Sequence, residues 1–69
     1  MSKLIRSKAT RLFLTTNGRW TDQVQNAAHF QGSCSAHNTV QKLHLREVEL
    51  YYLFNQHATS RYDFTIPLN

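Results

Sequence analysis

One cysteine, Cys34, excludes any disulfide within the chain, and with it the stapled scaffolds that small secreted domains rely on. A lone thiol suits a reducing compartment, so a cytoplasmic location is expected. Proline and glycine are almost as scarce. Pro67, Gly18 and Gly32 are the only strong punctuators, and neither a repeat nor a low-complexity linker divides the sequence. Long hydrophobic runs are missing too. The longest, Leu50 to Phe54, falls far short of the roughly 20 residues that a membrane-spanning helix needs. Near the N-terminus, Leu4-Ile5 is hemmed in by Arg6, Lys8 and Arg11, so no secretory h-region forms.

Acids are the other scarcity, four against eight Lys and Arg, for a net charge of +4. The imbalance is local. Lys3, Arg6, Lys8, Arg11 and Arg19 carry the first 21 residues without a single acid, while the rest is close to neutral. A basic start of this kind suits nucleic acid, an anionic surface or an acidic partner, or else a solvated terminal arm. Residues 1–9 are expected to form such an arm and 10–69 one small domain. At 69 residues a chain buries only about 60% of its unfolded surface, so self-association would be a natural support.

The hydrophobic pattern predicts an α+β domain. Leu12 and Leu14 alternate with Arg11, Phe13 and Thr15, which reads as a strand. Asn17-Gly18 then signals a type I′ hairpin returning through Arg19-Trp20-Thr21. Asp22 is placed to cap a short helical turn carrying Val24, Ala27 and Ala28 on one side. A longer helix, about 33–43, is expected from an N-cap at Ser33 or Ser35, with Ala36, Val40 and Leu43 as its apolar stripe. From Arg46 the period becomes two. Val48, Leu50, Tyr52 and Phe54 face one way, and Glu47, Glu49, Tyr51 and Leu53 the other. After a polar loop at 55–60, Tyr62, Phe64, Ile66 and Leu68 alternate with Arg61, Asp63, Thr65 and Pro67, the proline implying an edge or a strand end. The expected order is β-β-α-β-β, a mostly antiparallel sheet with one principal helix on one face.

The run Asn17-Gly18-Arg19-Trp20-Thr21, then Ala27 or Ala28, then Phe30, then Ala36, then Val48-Glu49-Leu50 and the closing Tyr62-Asp63-Phe64-Thr65-Ile66-Pro67-Leu68 resembles short uncharacterised bacterial proteins of the form G-x-W-T, A-x-x-F and a late V-E-L strand. The resemblance spans most of the chain from residue 11. It implies the small α+β fold and brings no functional residue with it.

Catalytic and metal chemistry find little support. Cys34 and His37 share a helical face at i, i+3, but zinc wants four ligands and a thiol nucleophile wants a base and a pocket. The acids are scattered and no Gly-rich phosphate loop is present. No cofactor, no metal and no enzymatic activity are therefore expected. A single helix covers one side of a sheet, so Phe13, Tyr51 and Leu53 on the second side are either covered by the chain itself, through the short turn around Val24 or the N-terminal arm, or, together with Trp20, contact a protein partner or a second copy in a homodimer. The alternative is a weak nucleic-acid binder using Lys3, Arg6, Lys8, Arg11 and Arg19. Arg11, Phe13, Tyr51 and Arg61 would then form a stacking platform on the second side, opposed by Glu47, Glu49 and Asp63.

Overall fold

The segment expected to be an arm is the middle of the sheet. In the computed structural model, which describes residues 2–55 and 57–69, strand β1 (Ser2–Ser7) lies between β2 (Phe13–Leu14) and β4 (Val48–Leu53). Residue 1 of the expected arm and Gln56 of the expected 55–60 loop lie outside the described residues. β1 pairs antiparallel with β4 along its whole length, from Ser2↔Leu53 to Ser7↔Val48, and meets β2 at Arg6↔Phe13. With β3 (Trp20–Thr21) and β5 (Phe64–Pro67), the described residues form a five-stranded antiparallel sheet in the order β3-β2-β1-β4-β5. One α-helix, α1 (Ser33–Lys42), connects β3 to β4. The class is α+β as expected, with an additional strand at the front.

Leu4 and Ile5 show why β1 must be central. Neighbouring strand residues point to opposite faces, and both side chains are fully buried. Each therefore enters a separate hydrophobic layer. Ile5 joins Leu14, Ala36, Val40, Val48 and Leu50 beneath α1, with Phe30, Leu45, Tyr52 and Leu68 at the margin. Leu4 joins Phe13, Val24, Ala27, Tyr51 and Leu53 on the other side. The cover for this second layer is the 3-10 turn Val24–Asn26 and the Ala27 that follows it. Asp22 does not cap that turn: Gln23 is the N-cap residue and makes no side-chain cap bond, and its amide donates to Thr21 Oγ1 at 3.1 Å.

Turn chemistry differs from the sequence reading in two places. The Thr16-Asn17-Gly18 loop is closed by Thr15 N donating to Arg19 O at 2.8 Å, and Gly18 is its one residue with positive φ, 82°. This is a three-residue loop ending in a left-handed glycine rather than a two-residue type I′ turn. Helix α1 starts from Gly32, whose carbonyl accepts from the Ser35 hydroxyl at 3.0 Å, so neither Ser33 nor Ser35 is the N-cap. At its other end Leu45 N donates to Val40 O at 3.0 Å and His44 N to Gln41 O at 3.3 Å. That pair of bonds is a Schellman closure. His44, at φ 55°, occupies the left-handed position usually given to glycine. The closure folds Leu45 into the layer under α1 and leaves Leu43, expected on the helix stripe, largely exposed.

Both sheet edges are blunted. β3 is two residues long. On β5, Leu68 N donates to Val48 O at 3.1 Å. Alternation along an antiparallel pair then turns Phe64 and Ile66 toward β4, and Thr65 and Pro67 outward. Pro67 has no N–H to offer, so its edge position costs nothing internally and denies a donor to any incoming strand.

Candidate functional site

Of the two readings of the second side of the sheet, the structure bears out closure by the chain itself, through the turn around Val24. Phe13, Tyr51 and Leu53 are 4%, 6% and 0% exposed, and Phe13 meets Tyr51 edge-on at 5.1 Å. These three are core residues, and the reasoning that gave them to a partner fails because the Val24–Ala27 segment supplies the missing cover. Trp20, the fourth expected contact, is 38% exposed. It pairs with Leu14 and so belongs to the α1 side at the far edge, separated from β5 by the width of the sheet.

The basic residues do not form one patch either. Lys3 and Arg6 stand on opposite faces of β1. Arg6 is held over the Tyr51 ring at 4.8 Å, and its Nε and Nη2 reach Glu49 Oε2 at 2.7 and 2.6 Å. Lys8 Nζ donates to Asn69 O at 2.8 Å. Arg11 sits in the β1–β2 connection at φ 65°, and Arg19 closes the hairpin loop. The expected stacking platform of Arg11, Phe13, Tyr51 and Arg61 is likewise not assembled, since Phe13 and Tyr51 are interior.

Next to Tyr51 lies an electrostatic hub that the sequence pattern did not disclose. Asp63 Oδ2 accepts from the Tyr51 hydroxyl at 2.6 Å and from Ser60 N at 2.9 Å, while Oδ1 accepts from Phe54 N at 2.8 Å and from the Ser60 hydroxyl at 3.3 Å. One carboxylate thereby ties the β4–β5 connection together. Burial by itself would raise the Asp63 pKa, but these donors outweigh it and hold the carboxyl below its ordinary value. Burial first, and then the bond to Asp63, push the Tyr51 hydroxyl up to about 12. The arrangement is structural: the phenol is a poor acid and the carboxylate has its acceptor sites filled.

The remaining titratable groups are dispersed. Gln41 Nε2 and His37 Nε2 are 3.1 Å apart, and Cys34 is an exposed free thiol. Among the described residues no three His, Cys, Asp or Glu side chains converge as a metal site would require. An open groove of about 780 Å³ runs under the end of α1 between His37, His44, Arg46, Glu47 and Leu68. It mixes opposite charges without a convergent set of donors.

What stands out is the α1 side of the sheet beyond the reach of α1. The helix packs on β1 and β4, and β5 lies outside it. Tyr52 and Phe64, cross-strand partners, stack at 4.5 Å with planes 9° apart. Phe54 and Tyr62 continue the alternation and meet at 5.5 Å, and Ile66 extends the row in the other direction. Phe54 and Tyr62 are each 60% exposed, Phe64 and Ile66 each 47%. Two cations flank these rings: Lys3 Nζ lies 5.6 Å from the Tyr52 ring centre, and the Arg61 guanidinium 5.2 Å from that of Tyr62. Phe54, Asn55, His57, Ser60 and Tyr62 also border an open groove of about 460 Å³. No carboxylate among the described residues belongs to this face. Glu49 and Asp63 serve the opposite side, Glu47 lines the groove under α1, and Asp22 follows β3 at the far edge. The alternation of Tyr62, Phe64 and Ile66 was visible in the sequence. Their exposure was not, because it depends on which strands the helix covers.

No protein-family model matches the chain, and no curated protein or solved structure matches it. Among the described residues no helix is long and apolar enough to cross a membrane.

Proposed function

We propose that this protein is a non-enzymatic binding module whose contact surface is the β4–β5 aromatic face. The observation that carries the proposal is a group of exposed apolar side chains at β5 and the connection before it, Phe54 and Tyr62 meeting each other, Phe64 stacked on Tyr52 and Ile66 two residues along β5, on a domain that buries both sides of its central strands. Isolated exposed apolar residues are ordinary, but a joined group of them marks a contact surface. Blunted edges at β3 and Pro67 direct contact toward the face rather than toward strand addition. Catalysis fits less well, since Cys34 borders neither groove and the one that His37 and His44 share with Glu47 mixes opposite charges without a convergent set of donors.

The test is site-directed photo-crosslinking in cells with a benzoylphenylalanine at Tyr62 or Ile66, against controls at Trp20 and at Asn38 on the exposed side of α1. Discrete adducts at the first two positions and none at the controls are expected. Equal yields at all four positions would defeat the assignment of this face. Tyr62→Ser should fold normally and change stability by about 1 kcal/mol or less, whereas Phe64→Ser also loses the half-buried stack on Tyr52 and should cost about 1–3 kcal/mol.

A further inference from the structure

We infer that the occupant of the aromatic face is single-stranded nucleic acid, held by base stacking on Phe64, Tyr62 and Phe54 and by phosphate contacts to Lys3 and Arg61. The inference rests on the reading of this face as the contact surface and adds the chemistry of the partner.

Charge complementarity decides among occupants. The face carries two cations and, among the described residues, no carboxylate, on a chain of net charge +4. An anionic partner is therefore favoured. A second copy would set Lys3 and Arg61 against their own images, and neither edge offers a row of donors to offset that repulsion. The apolar part of the face is aromatic rather than aliphatic apart from Ile66, with one cross-strand pair, Tyr52 and Phe64, on the sheet and a second pair of rings, Phe54 and Tyr62, in the adjoining connection. Aromatic surfaces of this form are ones on which successive bases stack. Phe64 is already parallel to Tyr52 at 4.5 Å, so its outer side prolongs an existing stack. Tyr62 stands in the turn two residues before Phe64 opens β5, a separation of at most about 7 Å along the chain, which lets neighbouring unpaired bases engage the two rings in turn. The groove between Phe54, His57 and Tyr62 would receive a base edge. Lys3, level with Tyr52 and Phe64 and fixed through Gln31 O at 3.3 Å, and Arg61, fixed through the Tyr62 hydroxyl at 3.1 Å, lie beside the middle and at one end of the row and keep further N–H donors free for phosphate oxygens. Duplex bases are already stacked and closed to these rings, so a single strand is the better fit.

The test is fluorescence anisotropy with a labelled 15-nucleotide oligothymidylate, its blunt duplex, and polyglutamate of matched charge, on the full chain across a salt series. The single strand is expected to bind best. Its log affinity should fall against log salt with a slope of roughly 1.4, the value for two phosphates on a single strand. Phe64→Ala and Tyr62→Ala should each weaken binding roughly five- to a hundredfold at constant salt slope. Arg61→Gln should lower the slope by about 0.7. Circular dichroism of each variant, with Phe64→Leu as a second probe that keeps bulk and loses the aromatic ring, separates lost stacking from lost fold. Equal affinity for the duplex, or aromatic variants that bind as the parent does, would overturn the inference. Preference for polyglutamate would overturn it in favour of an acidic protein. No binding to any of the three, with crosslinks persisting at Tyr62 in cells, would refute the nucleic acid while leaving the contact face standing.

Discussion

Replacing Tyr51 with phenylalanine deletes one hydroxyl and keeps the ring against Phe13 and Arg6. The hydroxyl donates to a carboxylate at 2.6 Å, and a hydrogen bond to a charged group contributes about 1.5–3 kcal/mol. Asp63 retains Phe54 N and Ser60 N as donors, so it is not stranded, and a loss of about 1.5–2 kcal/mol is expected. In a domain of this size that lowers the melting temperature by roughly 6–16 °C.

The pH dependence gives the prediction a sign. Tyr51 is raised from 10.0 to about 12 in the folded chain. A group whose folded pKa is raised contributes its stability fully below the unfolded value and loses it as pH climbs through the folded one. The advantage of wild type over Tyr51→Phe should accordingly hold from neutral pH to about 10 and shrink between 10 and 12. A two-unit rise corresponds to at most about 2.7 kcal/mol lost as the hydroxyl ionises, reduced by solvent screening at the half-buried Asp63. Since burial is its first cause, this is chiefly the penalty on the phenolate, separate from the worth of the bond. On the acid side Asp63 is lowered. Its contribution is present above the ordinary carboxylate value and disappears as pH falls through the folded one. Losing the Tyr51 donor should move the Asp63 titration upward. Urea unfolding followed by circular dichroism from pH 3 to 11.5, with carboxyl NMR for Asp63, reads all of this. A difference under 0.5 kcal/mol at pH 7, or one that stays constant between pH 9 and 11.5, would refute the account.

Three further substitutions probe other parts of the fold. Leu53→Ala should cost about 2–5 kcal/mol in chemical denaturation, as expected of a fully buried leucine, whereas a residue reserved for a partner would leave stability unchanged. Glu49→Ala strands the half-buried Arg6 guanidinium and should cost about 2–3 kcal/mol, somewhat below a fully buried pair, with an Arg6→Met, Glu49→Leu double variant recovering most of the loss in the same assay. His44→Gly should raise stability by roughly 0.5–1 kcal/mol, because φ 55° at the Schellman position strains any side chain and suits glycine; thermal unfolding reads the gain.

The C-terminal half of the sheet was legible because β4 and β5 keep a strict two-residue rhythm. Val48, Leu50 and Tyr52 do face α1, and Tyr51 and Leu53 do face away. β1 escaped notice for a physical reason. A central strand buried on both sides shows adjacent apolar residues, Leu4-Ile5, with no alternation, and the flanking Lys3 and Arg6 drew attention to charge. Once β1 is in place, Arg6 becomes the partner of Glu49 and ceases to be a free cation. The error over the second layer has a similar source. Val24 and Ala27 share a side and make the turn a candidate cover, but three residues carry no sequence sign that decides between the turn and a partner as the group that closes the surface. The Asp63 hub was invisible because its donors come from Tyr51, Phe54 and Ser60, brought together only by the β4–β5 pairing.

The exposed aromatic row can be divided by asking what stability alone explains. Phe64 stacks on Tyr52, and such a pair contributes about 0.5–1.5 kcal/mol beyond burial, reason enough for an aromatic at that position. Ile66 lies opposite Leu50 and shields one flank of the layer under α1. Phe54 and Tyr62 are different. Each is 60% exposed, beyond the paired region, and their mutual contact is tilted rather than stacked. Asp63 already fixes the connection through backbone donors on Phe54 and Ser60, so the rings on either side of it are not needed to close the turn. Serine or threonine at both positions would serve the fold as well and would remove an apolar surface that invites aggregation. Their presence is what a fold-only account leaves over. Tyr62 is consequently the position at which binding and stability should separate most cleanly, with Phe64 showing both effects at once.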